Sequence, residues 1–256
     1  AFAMYFIDNF WKRKVTETTY KNEMYRFNNH IKPYFGEKPL RKITPLDCQT
    51  LLDKYTAKGQ TKTANELYSA LNKIFVAAIK HGIITRNPLD IVFKERHYST
   101  HGKALSKKEE KALLNHTAGT RYQLLFAVVL YTGLRPNEYR TARIDGDFIV
   151  ARNSKQKDGK EHFKKIPVTP MLAPYLFGVA ELNFVDLKYM TEKLHEVLPE
   201  HKLYDLRTTF YTRCQECGVA EVAIKTFVGH SLGGLADTYT DLSDEYLLRE
   251  GGKFRY

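Results

Sequence analysis

Five residues in the second half of the chain carry the groups needed to break and remake a phosphodiester: Arg135, Lys155, Arg207, His230 and Tyr239. They lie in TGLRPNE (132–138), NSKQKDGK (153–160), YDLR (204–207), VGHS (228–231) and DTYTD (237–241). Displacement at phosphorus loads negative charge on the non-bridging oxygens, and a planar guanidinium fork matches that charge better than an ammonium does. Two arginines therefore read as two phosphate clamps. A lysine on a β-hairpin can protonate the leaving 5′ oxygen as general acid. A phenol is a usable nucleophile once cations offset the cost of ionising it, about 4 kcal/mol at pH 7. His230 would hydrogen-bond a phosphate oxygen or position the phenol. Taken singly, each motif has an ordinary reading as a helix-capping turn, a solvated arginine or a basic loop; the ordered set carries the argument.

In this order and spacing the set resembles the catalytic domain of the tyrosine recombinases, the phage and conjugative-transposon integrases. Tyr239 follows His230 by nine residues, the family's interval between histidine and nucleophile. The resemblance implies that Tyr239 attacks to give a 3′-phosphotyrosyl link and a free 5′ hydroxyl, and that religation needs no cofactor. It places the general-acid lysine near the end of the second strand, at Lys155, with Lys157 as the alternative. Glu138, three residues after Arg135, would buttress the guanidinium. One position departs from the family: Tyr204 stands where it commonly has histidine. Tyr204 is expected to hydrogen-bond a phosphate oxygen rather than do acid–base work, and it is also a rival nucleophile.

Formal net charge is +11 and pI about 9.4, which favours a polyanionic partner through counterion release. The excess sits mainly in residues 1–97, with 17 Lys/Arg against 9 Asp/Glu, so the first segment reads as a DNA clamp. Lys62 and Lys73 there, and Lys157 and Lys160 in the hairpin, are the expected backbone contacts; Lys164 and Lys165 read as further phosphate-touching lysines of the same basic loop. No apolar run approaches the roughly 20 residues that span a bilayer, there is no signal-peptide pattern, and the expected compartment is the bacterial cytosol. Cys48, Cys214 and Cys217 fit a reducing compartment. Cys214 and Cys217 read as partly buried helix residues, and no metal site is expected.

The fold class implied is mainly α with a small antiparallel β-sheet: a helical, SAM-like core-binding domain over 1–96, a linker over 97–104, and an α/β catalytic domain over 105–256 with a tail from about 242. Tyr34-Phe35-Gly36, Leu40 to Thr44 and Arg86-Asn87-Pro88-Leu89 are similar to integrase core-binding domains. A helix is expected from Thr18 toward His30, broken by Pro33 and Gly36. Thr44-Pro45-Leu46-Asp47 starts another, and 61–82 carries one apolar face that Gly82 ends. Ser106 with Glu109 forms a capping box, 121–132 is an apolar helix, strands fall at about 142–145, 147–152 and 162–167, and helices at 184–198, 205–217, 220–228 and 243–250.

The function expected is site-specific recombination of duplex DNA by a mobile-element integrase or transposase, as a tetramer on two DNA sites, with accessory DNA-bending factors as further partners. Its alternatives are a Xer-like chromosome resolvase, a type IB topoisomerase-like enzyme, and a catalytically silent DNA binder on the same scaffold. The start at Ala1 fits loss of an N-terminal arm-binding domain, and the tail packs either in cis or on a neighbouring subunit.

Overall fold

The computed structural model describes residues 2–98, 102–154, 161–234 and 240–256. The chain divides into two compact units, Ala1–Thr100 and His101–Tyr256.

In the first unit the helices are α1 (Phe2–Phe6), α2 (Glu17–Arg26), α3 (Lys32–Phe35), α4 (Pro45–Thr56) and α5 (Thr61–Lys80). α5 buries Ala64, Leu67, Leu71, Ile74, Phe75 and Ala78, the three- and four-residue spacing of one helix face. That face meets Ile7, Phe27, Ile31, Phe35, Leu51 and Leu52 in a single core. Thr44 and Asp47 close the capping box at the start of α4. The helical path does not break at Pro33. A π-helical turn over Phe27–Ile31 joins α2 to α3, with Lys32 N–H donating to Phe27 O. Pro33 then occupies the first turn of α3, where a missing N–H costs no hydrogen bond.

The second unit holds the longer run of elements: α6 (Lys107–His116), α7 (Arg121–Thr132), β1 (Arg143–Asp145), β2 (Phe148–Arg152), β3 (Phe163–Pro167), α8 (Ala173–Leu176), α9 (Leu187–His195), α10 (Leu203–Glu216), α11 (Glu221–Val228) and α12 (Asp244–Gly252). α7 is buried on all sides from Leu125 to Thr132 and packs on α10 at the centre of the core. The strands form one antiparallel sheet in the order β1-β2-β3, with Ile149 opposite Ile166 and Ala151 opposite Lys164. α11 and α12 pack against β3. Beyond α12 the chain stays on its own unit: Phe254 is buried beside Tyr131 and Phe210, and Tyr256 Oη donates to Glu110, which also pairs with Arg213.

Candidate active site

Arg135 is delivered by the end of α7. Gly133 closes that helix in the left-handed conformation, φ +63°. A β-carbon there would stand 2.3 Å from the Phe210 ring, so glycine is required both by the backbone and by the close approach of α10. The chain turns through Leu134 and enters a 3-10 helix over Pro136–Thr141. Glu138 on that helix reaches back, accepting from Arg135 N and Nη1, both at 2.9 Å. Arg135 Nη2 donates to Gly229 O at 3.3 Å. Its Nε is buried and meets no acceptor among the described residues.

Arg207 lies on α10 and is also buried. Its Nη1 donates to Gly133 O at 2.8 Å and its Nη2 to Val228 O at 2.7 Å. Arg207 is thus anchored to the turn that presents Arg135 and to the end of α11. Nη2 is also 3.0 Å from His230 Nε2; a guanidinium only donates, so this ring nitrogen accepts. Gly229, φ +64°, ends α11 and turns His230 toward Arg207. A β-carbon on Gly229 would meet the Asn153 side chain at 2.8 Å. Burial, then Arg135, weigh against the charge on Arg207, with Tyr204 and Glu138 opposing them. Tyr204, one helical turn earlier, is exposed.

The structure therefore brings together Arg135, Glu138, Arg207 and His230, with Tyr204 at the edge. Lys155, Lys157, Lys160 and Tyr239 lie outside the described residues. The preceding residue, Ser154, is fixed through its N and Oγ to Glu138 Oε1 at 3.1 and 2.9 Å. In the first unit Lys62 is exposed, whereas Lys73 is engaged within its own unit, 2.6 Å from Glu23 and over the Trp11 ring.

Lys164 corrects the reading of a uniformly basic loop. It points inward from β3, opposite Ala151, and its Nζ lies 2.6 Å from Glu138 Oε2 and 3.4 Å from Val228 O. The signal in the sequence was the period-two alternation of β3, which puts Lys164 on the same face as Ile166. Burial lowers Lys164 from its ordinary value; Glu138 opposes this, Arg207 and Arg135 add to it, and the result is about 8. Burial pushes Glu138 up, but Lys164 and the N–H groups of Arg135 and Ser154 outweigh it and hold the carboxyl at about 2. Lys165 turns outward to pair with Asp244 at 2.7 Å. Among the described residues no group of three His, Cys, Asp or Glu side chains is placed to hold a metal ion.

Comparison with known proteins shows what the chain is similar to. Residues 2–55 match the model for the phage integrase N-terminal SAM-like domain. Over 240 residues the chain is 29% identical to tyrosine recombinase XerA of Saccharolobus solfataricus, covering 83% of this chain and 81% of that protein. The chain is thus similar to tyrosine recombinases and phage-type integrases. A shorter stretch of 74 residues is 34% identical to the ICEBs1 integrase of Bacillus subtilis, spanning 28% of this chain and 20% of that one. The fold is that of a lambda integrase fragment (residues 75–356) solved as a dimer bound to a core site: TM-score 0.76 at 16% identity, over 95% of this chain and 98% of the other. No described helix is long and apolar enough to cross a membrane.

Proposed function

We propose that the chain is a site-specific DNA recombinase that cleaves and rejoins duplex DNA through a 3′-phosphotyrosyl intermediate. The observation that carries this reading is the buried arginine pair. Arg135 and Arg207 are tied to one turn and one helix end, and Arg135 Nε is a buried donor with no acceptor among the described residues. Buried donors are rarely left unmet in a folded protein, and a non-bridging phosphate oxygen is the acceptor this chemistry requires.

In this reading the two guanidiniums hold the scissile phosphate and stabilise the charge that builds during displacement, each worth roughly 3 kcal/mol of barrier. His230 shares the phosphate with Arg207. The Tyr239 oxygen attacks phosphorus and loses its proton; the bond to the 5′ oxygen breaks, and a hairpin lysine, Lys155 or Lys157, gives that oxygen a proton. Attack by another strand's 5′ hydroxyl reverses these steps, so the phosphodiester's bond energy is kept and no nucleotide is consumed. The exposed Tyr204 phenol would donate a hydrogen bond. The basic first unit would grip the duplex, Lys62 touching backbone phosphates, and four subunits would hold two DNA sites.

A plasmid carrying both ends of the element that encodes the chain tests this. Recombinant circles are expected from it, and no relaxation of a supercoiled plasmid lacking the ends. Relaxation of the plasmid lacking the ends would favour a topoisomerase. Binding to the ends with neither product would favour a silent DNA binder.

A further inference from the structure

Glu138 is a buried hub. Its two oxygens accept from Arg135 N and Nη1, from Ser154 N and Oγ, and from Lys164 Nζ. The 3-10 turn, the start of the hairpin connection and β3 are thereby fastened to one carboxylate whose side chain is 0% exposed. That arrangement has an electrostatic cost for a phosphate clamp. An ionised Glu138 beside Arg135 would cancel one of the two guanidinium charges just where a phosphate needs both. Lys164 removes that cost. Among the described residues, the charged groups facing it are Glu138 from the 3-10 turn, Arg135 from the end of α7 and Arg207 from α10, with the Val228 carbonyl from α11. Among these described groups, three cations and one carboxylate leave two positive charges; without Lys164 one would remain.

We propose that Lys164 is a positioning residue of the arginine pair: it neutralises Glu138, so that the carboxylate can fix Arg135 and Ser154 while both guanidinium charges stay uncompensated toward a bound phosphate. The inference rests on reading Arg135 and Arg207 as a phosphate clamp. Lys164 itself is 3% exposed in its side chain and would act through Glu138 rather than on the phosphate.

Burial, opposed by Glu138 and assisted by the two arginines, brings Lys164 to about 8 from 10.5. The clamp therefore loses a charge as pH rises past about 8. Stability moves the other way. Because the folded value lies below the unfolded one, the unfolded chain binds more protons between about 8 and 10.5, and the contribution of Lys164 to stability rises across that window. A lysine serving the fold alone would alter stability and leave anion affinity untouched.

The test uses the whole chain with 15N-labelled arginine and sulfate as probe, since sulfate keeps both charges throughout. The side-chain NMR signals of Arg135 and Arg207 are followed during sulfate titrations from pH 7 to 9.5. One unit charge within a residue's breadth of the anion, at an effective dielectric of about 20, is worth about tenfold or more in affinity. Wild-type sulfate affinity is expected to weaken by at least that factor over the range, while Lys164→Arg, whose charge does not titrate, stays flat. Deleting both charges in Glu138→Gln/Lys164→Met is expected to make the sulfate affinity independent of pH over the same range. The comparison of wild type with Lys164→Arg needs no destabilised variant. Equal pH dependence in those two proteins would overturn the role of Lys164 and leave the clamp standing. Sulfate that shifts neither arginine in the wild type would overturn the clamp and the role of Lys164 together.

Discussion

Arg135 and Glu138 grip each other twice, backbone N to Oε2 and Nη1 to Oε1, each at 2.9 Å. A three-residue turn thus fixes both the start and the tip of the arginine. Removing the carboxylate leaves two buried cations, Arg135 and Lys164, without their counter-ion. Glu138→Ala is expected to lower unfolding free energy by about 3–5 kcal/mol, read as a shifted urea midpoint at pH 7.

The same carboxylate predicts an acid limb. Glu138 is held at about 2, below its ordinary 4.5, so its contribution is complete above 4.5 and is lost as pH falls toward 2. The stability gap between wild type and Glu138→Gln should be widest near neutrality and should narrow between pH 4.5 and 2. A gap independent of pH would place the carboxylate's value near normal.

Arg207→Lys keeps the charge and loses the fork that reaches Gly133 O, Val228 O and His230 at once. Cleavage of a nicked duplex by this variant is expected to fall by about 10², with DNA affinity changed little, as measured by single-turnover kinetics and a binding titration. Loss confined to binding would make Arg207 an ordinary phosphate contact.

Gly133 combines a left-handed backbone with a position so close to Phe210 that an added β-carbon would clash with its ring. Gly133→Ala is expected to cost at least about 2 kcal/mol from strain and overpacking together. A thermal melt reads this, and a variant as stable as wild type would contradict the account of how α7 and α10 meet.

Much of this was legible in the residues, for identifiable reasons. The α5 face, the Thr44–Asp47 and Ser106–Glu109 caps and the Glu138 buttress are local patterns, and local patterns survive tertiary packing. Lys164 was misread because a lysine in a lysine-rich stretch looks solvated; its strand partner Ala151 and the inward face it shares with Ile166 decide otherwise. The passage of the helix through Pro33 depends on a π turn that no residue type announces. Phe254 and Tyr256 are tied to α7, α10 and Glu110 by long-range contacts, which the local pattern of the tail does not specify.

Those terminal contacts carry a prediction of their own. Phe254 is 1% exposed in the core, so Phe254→Ala should destabilise by about 3–5 kcal/mol. Dilution of the wild-type protein should leave its melting temperature unchanged, because this packing is within one chain. A melting temperature that falls on dilution would mean the segment is seated on a neighbour in solution.

The central claim is phosphotyrosyl chemistry, and covalent trapping tests it most directly. A nicked duplex carrying a DNA site that the protein binds, incubated with the full chain without metal, is resolved on a denaturing gel, and the linked peptide is mapped by mass spectrometry. The account predicts an adduct on the peptide carrying Tyr239, lost in Tyr239→Phe. An adduct on Tyr204, or none on DNA that the protein demonstrably binds, would contradict it.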